Sequence, residues 1–275
     1  MISRPALPYR LGLTLAAAFA LAACSPEAPA PTAATPSAPT STAATPTAAP
    51  AATAPAAAEA PARTPGPIVP PSGPAPVAGT DYAVIAGGSP FRPGSDKIEV
   101  VEVFGYTCPH CATFEPLVSA WAAKLPADVD FVPLAAPFGG YWMPYAKAYY
   151  TAQTMGVLDK THQAMFNAIH VDRTLPVQPL PTDEQLAAFY AKHGANPQQF
   201  ASTMESFAIN AKLKRAQQFL MSSGVDSTPQ LVVNGKYRIT GNGFEDILRI
   251  ADHLIAQERA VGSAAAPAAD APATE

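Results

Sequence analysis

The residues of this chain best equipped for chemistry are Cys108 and Cys111, which stand in the segment Cys108-Pro109-His110-Cys111. A C-x-x-C pair can be half of a zinc site, a structural disulfide or a redox centre. A structural zinc site takes four ligands, and the sequence offers neither a second C-x-x-C nor a paired-histidine motif. A disulfide closing so short a loop gains little from chain entropy. Position favours redox chemistry. A β-branched run, Lys97 to Phe104, stops at Gly105, and an apolar stripe at helical spacing starts just beyond the cysteines. At such a strand-to-helix junction, free N–H groups and the helix dipole stabilise a thiolate.

The elements that must hold this pair are legible on either side. Tyr82 to Ile85 reads as a short strand closed by Gly87-Gly88, and Lys97–Phe104 as a central strand. Phe114, Leu117, Val118, Trp121 and Leu125 recur at helical intervals, with Pro109 in the first turn, where a missing N–H costs least. Asp130 to Leu134 completes a β-α-β unit. From Trp142 to about Gly194 the pattern is helical, and Thr182-Asp183-Glu184-Gln185 has the form of a capping box. One longer helix is expected from Asn196-Pro197 through Phe200, Met204, Phe207, Leu213 and Phe219 to a stop at Gly224. A hairpin turning at Asn234-Gly235 and a last amphipathic helix from Phe244 follow. The order is that of an α/β domain with a helical insert.

Outside that domain the composition changes. Of 32 prolines, 15 lie between Ser25 and Ala78, in a stretch of Ala, Pro, Thr and Ser that has no aromatic residue and only Glu27, Glu59 and Arg63 as charges. Such a segment cannot bury enough apolar surface to offset chain entropy. The expected organisation is a signal peptide over 1–23, a disordered linker over 24–78, a folded domain over 79–260 and a disordered tail over 261–275. The formal net charge is −4, with no Lys/Arg cluster, so no nucleic acid is expected as a partner. Arg4 and Arg10 precede an apolar run from Leu11 to Ala20, too short to span a bilayer and laid out like a secretory signal. It ends in Leu21-Ala22-Ala23-Cys24, which resembles the bacterial lipobox; lipidation of Cys24 would anchor the chain in a membrane, and export implies an oxidising compartment. Fully extended, the linker would reach on the order of 170 Å.

The segment Phe104-Gly105-Tyr106-Thr107-Cys108-Pro109-His110-Cys111-Ala112-Thr113-Phe114-Glu115 resembles the active-site region of the DsbA family of periplasmic disulfide oxidases. Gly224-Val225-Asp226-Ser227-Thr228-Pro229 and Leu231-Val232-Val233-Asn234-Gly235-Lys236-Tyr237 are similar to that family's cis-proline loop and hairpin. The likeness covers Ile98 to Ile255. It implies a thioredoxin-like fold with a helical insertion at about 138–222. A strongly acidified cysteine and an oxidising couple are standard properties of that family, so here they are inherited from the resemblance. By the same match Cys108 is the exposed nucleophile and Cys111 its buried partner. The resemblance also implies that the His110 ring stabilises the Cys108 thiolate, that Pro229 is cis, and that Thr228 presents its backbone to a substrate peptide.

Glu102, six residues before Cys108, matches a buried family acid that assists proton transfer; the competing reading is an exposed strand-face carboxylate like Glu99. Glu115 matches a second family acid or is a solvated helix residue. His162, His170, His193 and His253 read as surface or core residues, and neither a metal nor a cofactor is implied. The resemblance implies a monomer that donates its disulfide to reduced exported proteins, is reoxidised by a quinone-linked membrane oxidase of the DsbB type, and works in the periplasm on the inner or outer membrane. Thr228, unlike the Val of the best-known oxidases, is reminiscent of the isomerases. This keeps a reductase or isomerase as one competing function, and a peptide-binding chaperone with a passive disulfide as another.

Overall fold

The computed structural model describes residues 64–265, and the proposed leader, Cys24 and most of the linker lie outside them. Strand β1 (Tyr82–Val84) is followed by β2 (Ile98–Phe104), α1 (Pro109–Ala122) and β3 (Val129–Ala135). The helices α2 (Trp142–Thr154), α3 (Leu158–His170), α4 (Asp183–Ala191), α5 (Pro197–Met204) and α6 (Phe207–Ser223) come next. The hairpin β4 (Gln230–Val233) and β5 (Tyr237–Ile239) and the helix α7 (Phe244–Ala265) close the domain. The sheet order is β1-β5-β4-β2-β3. Strand β2 is central, parallel to β3 and antiparallel to β4, and all seven of its residues are buried. A strand covered on both faces reads as a continuous β-branched run, which is why Ile98–Phe104 lacks a polar-apolar alternation.

Alternation does govern where its side chains go. Ile98 and Val100 pack with Phe114 and Val118 of α1 and with Ile250 and Leu254 of α7. Val101 and Val103 pack with the aromatic core of the insert, including Tyr149, Phe166 and Tyr190. The sheet is therefore the middle layer, with α1 and α7 on one side and α2–α6 on the other. The fold is thioredoxin-like with a helical insert.

Several expectations need correction. Residues 196–224 form two helices, because Ser206 starts a new one by accepting from the Ile209 N–H at 3.3 Å. The chain reorients there, so Met204 is buried while Phe207 is 87% exposed. Leu117 is likewise exposed; the inner face of α1 consists of Cys111, Phe114, Glu115 and Val118. Helix α7 runs five residues past 260, since the Ala-rich sequence favours a helix until Pro267 approaches.

The end of the expected linker is not loose. Gly66 donates its N–H to Leu125 O at 3.1 Å, with the Lys124 carbonyl occupying the place of a side chain. Farther on, His253 Nε2 reaches Ser72 O at 3.2 Å and Arg249 donates to Pro74 O. Residues 64–78 thus form a proline-rich strap across the C-terminal end of α1 and along α7. Among the described residues no helix is long and apolar enough to cross a membrane.

Candidate active site

The parallel strand β2 delivers the chain to the N-terminus of α1, and the connection is tight. The Cys108 N–H donates to Gly105 O at 3.0 Å. Gly105 must be glycine because a Cβ there would run into the Trp142 ring. Cys108 is the N-cap of α1, with φ −86° and ψ 116°, and Pro109 takes the first helical position. The Cys108 sulfur accepts from the Cys111 N–H at 3.3 Å, the role an N-cap side chain ordinarily fills with oxygen. Both cysteines are thiols in this structure.

The two sulfurs occupy opposite electrostatic situations. Cys108 falls from the ordinary thiol value of 9.0 to about 5. The largest cause is hydrogen bonding from the Cys111 side chain; burial opposes it, and the Thr228 side chain and the Cys111 and His110 backbone N–H groups add to it. Cys111 moves far upward, first because it is buried, then because Cys108 holds its proton and repels its charge. A proton shared between two sulfurs goes to the one that cannot ionise, leaving the other as thiolate. Cys108 is less open than expected, at 7% exposure against 1% for Cys111, but it alone of the two reaches the surface recess. His110 is exposed, and its backbone N–H is among the donors that lower Cys108.

That recess, about 510 Å³, is lined by Thr107, Cys108, Pro109, Phe138, Trp142 and Thr228 among others. Helix α6 ends at Gly224 in the left-handed region (φ 64°), where the Val225 N–H bonds back to Leu220 O at 3.0 Å. The chain then enters the loop before β4, where the Thr228–Pro229 peptide bond is cis. Thr228 O lies 3.6 Å from the Cys108 sulfur.

Beneath α1 lie two buried acids. Alternation puts Glu102 on the face of β2 that α1 covers; burial raises it well above the usual carboxylate value, and the nearby Glu115 charge adds to the shift. Glu115 is buried too, accepting from Ser119 Oγ at 2.5 Å and meeting His162 Nε2 at 3.2 Å. Glu99 is also buried, contrary to the exposed reading, and its carboxylate accepts the N–H groups of Phe91 (2.6 Å) and Arg92 (2.8 Å).

Sequence reasoning missed the two histidines of α3. His162 Nδ1 lies 2.8 Å from the Tyr106 hydroxyl, and His170 Nε2 donates to the Tyr106 main-chain oxygen at 2.7 Å. With a proton on Nε2, His162 satisfies both neighbours, donating to Glu115 and accepting from the Tyr106 hydroxyl at Nδ1. Tyr106, two residues before Cys108, is thereby clamped at both ends by the insert. The signal was present as a stripe, His162, Phe166 and His170 at i, i+4 and i+8, with Phe166 packed on Tyr106 at 5.0 Å between centroids. His193 packs on Phe189, and His253 holds the strap. Among the described residues no group of three or more His, Cys, Asp or Glu side chains gathers as a metal site.

Residues 144–254 match the family model described as DSBA-like thioredoxin domain. The thiol:disulfide interchange protein DsbA of Pseudomonas aeruginosa is 43% identical over 187 residues, covering 66% of this chain and 86% of the relative. This chain belongs to the DsbA family. DsbA of Azotobacter vinelandii is 43% identical over 171 residues, covering 61% of this chain and 77% of the relative. The crystal structure of DsbA from Xylella fastidiosa superposes with a TM-score of 0.66 at 45% identity, over 67% of this chain and 98% of that one. The chain is a thiol-disulfide oxidoreductase of DsbA type.

Proposed function

We propose that this DsbA-family chain is an oxidase, donating the Cys108–Cys111 disulfide to exported proteins. The observation that carries the reading is the asymmetry of the two sulfurs: one is held as a thiolate by donors, the other is buried and kept protonated. A substrate thiolate attacks Cys108 Sγ, the 108–111 bond breaks, and Cys111 leaves and takes a proton. A second substrate thiolate then attacks the substrate sulfur of the mixed disulfide, and Cys108 leaves as its stable thiolate. Two electrons enter the chain, one substrate proton ends on Cys111 and the other in solvent. A leaving group this acidic favours the reduced chain and hence oxidation of the substrate.

Thr228 and Pro229 are the proposed substrate-binding pair, offering backbone to an extended peptide beside the sulfurs. Pro109 and His110 shape the thiolate site, and Glu102, whose carboxyl is pushed by burial well above its ordinary value, is the proposed proton partner for Cys111. The chain then needs an external oxidant, for which a quinone-linked, DsbB-type membrane partner is proposed. Lipidation at Cys24 and the linker after it would hold a monomeric domain in the periplasm within reach of a membrane.

The test is oxidation of a reduced, unfolded disulfide protein by stoichiometric oxidised chain. The chain should regenerate substrate activity, and Cys108→Ala should abolish it. If Cys108→Ala retained full activity, or if the wild-type chain removed disulfides under the same conditions, the oxidase reading would be wrong.

A further inference from the structure

The strap over 64–78 is held at both ends and open in the middle. Gly66 is fixed on Leu125 O, and the main-chain oxygens of Ser72 and Pro74 meet His253 and Arg249 of α7. Between these points the apolar side chains of Ile68 and Val69 stay 62% and 66% exposed. A strap that served only to cover the core would turn them inward. Beside them run two adjoining recesses of about 290 and 390 Å³, which share Val69, Pro70, Pro71 and Arg259. Ala256 and Ala260 of α7 extend the apolar lining of the second. At the first, Lys124 is exposed, whereas Asp252, the acid that lines it, accepts from Trp121 Nε1 at 2.8 Å. The face is therefore apolar with an exposed cation at its rim, the pattern of a surface that meets something larger than a small ligand.

Resting on the lipidation of Cys24 proposed above, we infer that this strap face lies on the bilayer that holds the lipid. Chain order supplies the occupant. Residues 25–63 run from Cys24 directly into the strap, so the bilayer is the apolar body tethered nearest to Ile68 and Val69. Two side chains of this size, with a lysine for anionic headgroups, hold a free domain on a membrane only weakly. A tether turns the docking into an intramolecular event at high effective concentration. The consequence concerns the redox site. Lys124 and Leu125 lie just beyond the C-terminal end of α1 and Cys108 caps its N-terminus, about 20 Å away along a helix of this length. With the strap face down, the Cys108 recess opens away from the membrane, toward soluble exported substrates. Reoxidation by a membrane-embedded partner then requires the face to lift, which the length of 25–63 allows.

The chain's two tryptophans report on the two ends: Trp121 lines the recess beside the strap and Trp142 the redox recess. The acylated full chain is placed in vesicles of phosphatidylethanolamine and phosphatidylglycerol whose acyl chains carry bromine, a contact quencher of indole. Trp142→Phe and Trp121→Phe variants separate the two signals. Trp121 emission should be quenched several-fold more than Trp142 emission. Ile68→Asp combined with Val69→Asp, both at exposed positions, should bring Trp121 quenching down to the level of Trp142, with the chain still in the vesicles and its unfolding midpoint unchanged. Equal quenching of the two tryptophans without the strap substitutions, or Trp121 quenching that survives them, overturns the inference. So does a dimer of unacylated Cys24→Ser chain in sedimentation that the double substitution disperses, which would assign the face to a second copy. Mass analysis of the N-terminal peptide separates the two claims. An acylated chain with unquenched Trp121 sinks the docking surface alone, whereas a Cys24 without an acyl group sinks the lipidation and the docking with it.

Discussion

Titrating the redox equilibrium against pH tests the central claim about Cys108. With the Cys108 thiol lowered from 9.0 to about 5, the reduced chain at pH 7 holds a thiolate and one protonated sulfur. The two pH units between 5 and 7, at about 1.36 kcal/mol each, stabilise the reduced form by about 2.7 kcal/mol over a dithiol of ordinary acidity. For a two-electron couple that is about 60 mV toward the oxidising side. The sign also follows from linkage. Because the folded value lies below the unfolded one, this stabilisation is complete above about pH 9, partial at 7 and lost as pH falls through 5. Between pH 5 and 8, reduction of the protein takes up one proton, whereas reduction of glutathione disulfide takes up two. The equilibrium constant for reduction of the chain by glutathione should therefore rise about tenfold per pH unit over that range and level off below 5. The assay is the thiol-to-disulfide ratio after equilibration with defined glutathione mixtures, trapped by acid and alkylation. A constant that stays flat from pH 5 to 8 would mean that Cys108 is protonated throughout, and the argument from its hydrogen bonds would fail.

Three further outcomes follow from named contacts. Thr228→Val removes a hydroxyl that lowers Cys108, so the thiolate titration followed by absorbance at 240 nm should move upward by about one pH unit. Gly105→Ala places a methyl group against the Trp142 ring, and urea unfolding should show a loss of about 1–3 kcal/mol. Gly66→Val cannot keep the strap against the Lys124 carbonyl. A non-specific protease should then cut between residues 64 and 78 faster than in the wild-type chain, with global stability changed by less than about 1 kcal/mol.

Local chemistry determined much of this protein in advance. A C-x-x-C placed between a β-branched run and a helical stripe, Pro109 at the first helical turn, the Thr182 capping box, the Asn234-Gly235 hairpin and the Gly224 stop are each set by neighbours within a few residues, so each is legible along the chain. Tertiary structure decided what depends on distant partners. Burial of Glu99 comes from main-chain N–H groups of a loop that folds back on it, and the exposure of Phe207 from a cap at Ser206 that reset the helical phase. The strap over 64–78 had the composition of a free linker, and partners far along the chain, the carbonyl of Leu125 and the side chains of Arg249 and His253, hold it against the domain. The clamp on Tyr106 joins residues 56 and 64 positions apart. Periodicity reports which face of an element is apolar; it carries no information about which polar group will meet it there, because that pairing exists only once the insert has closed over the sheet.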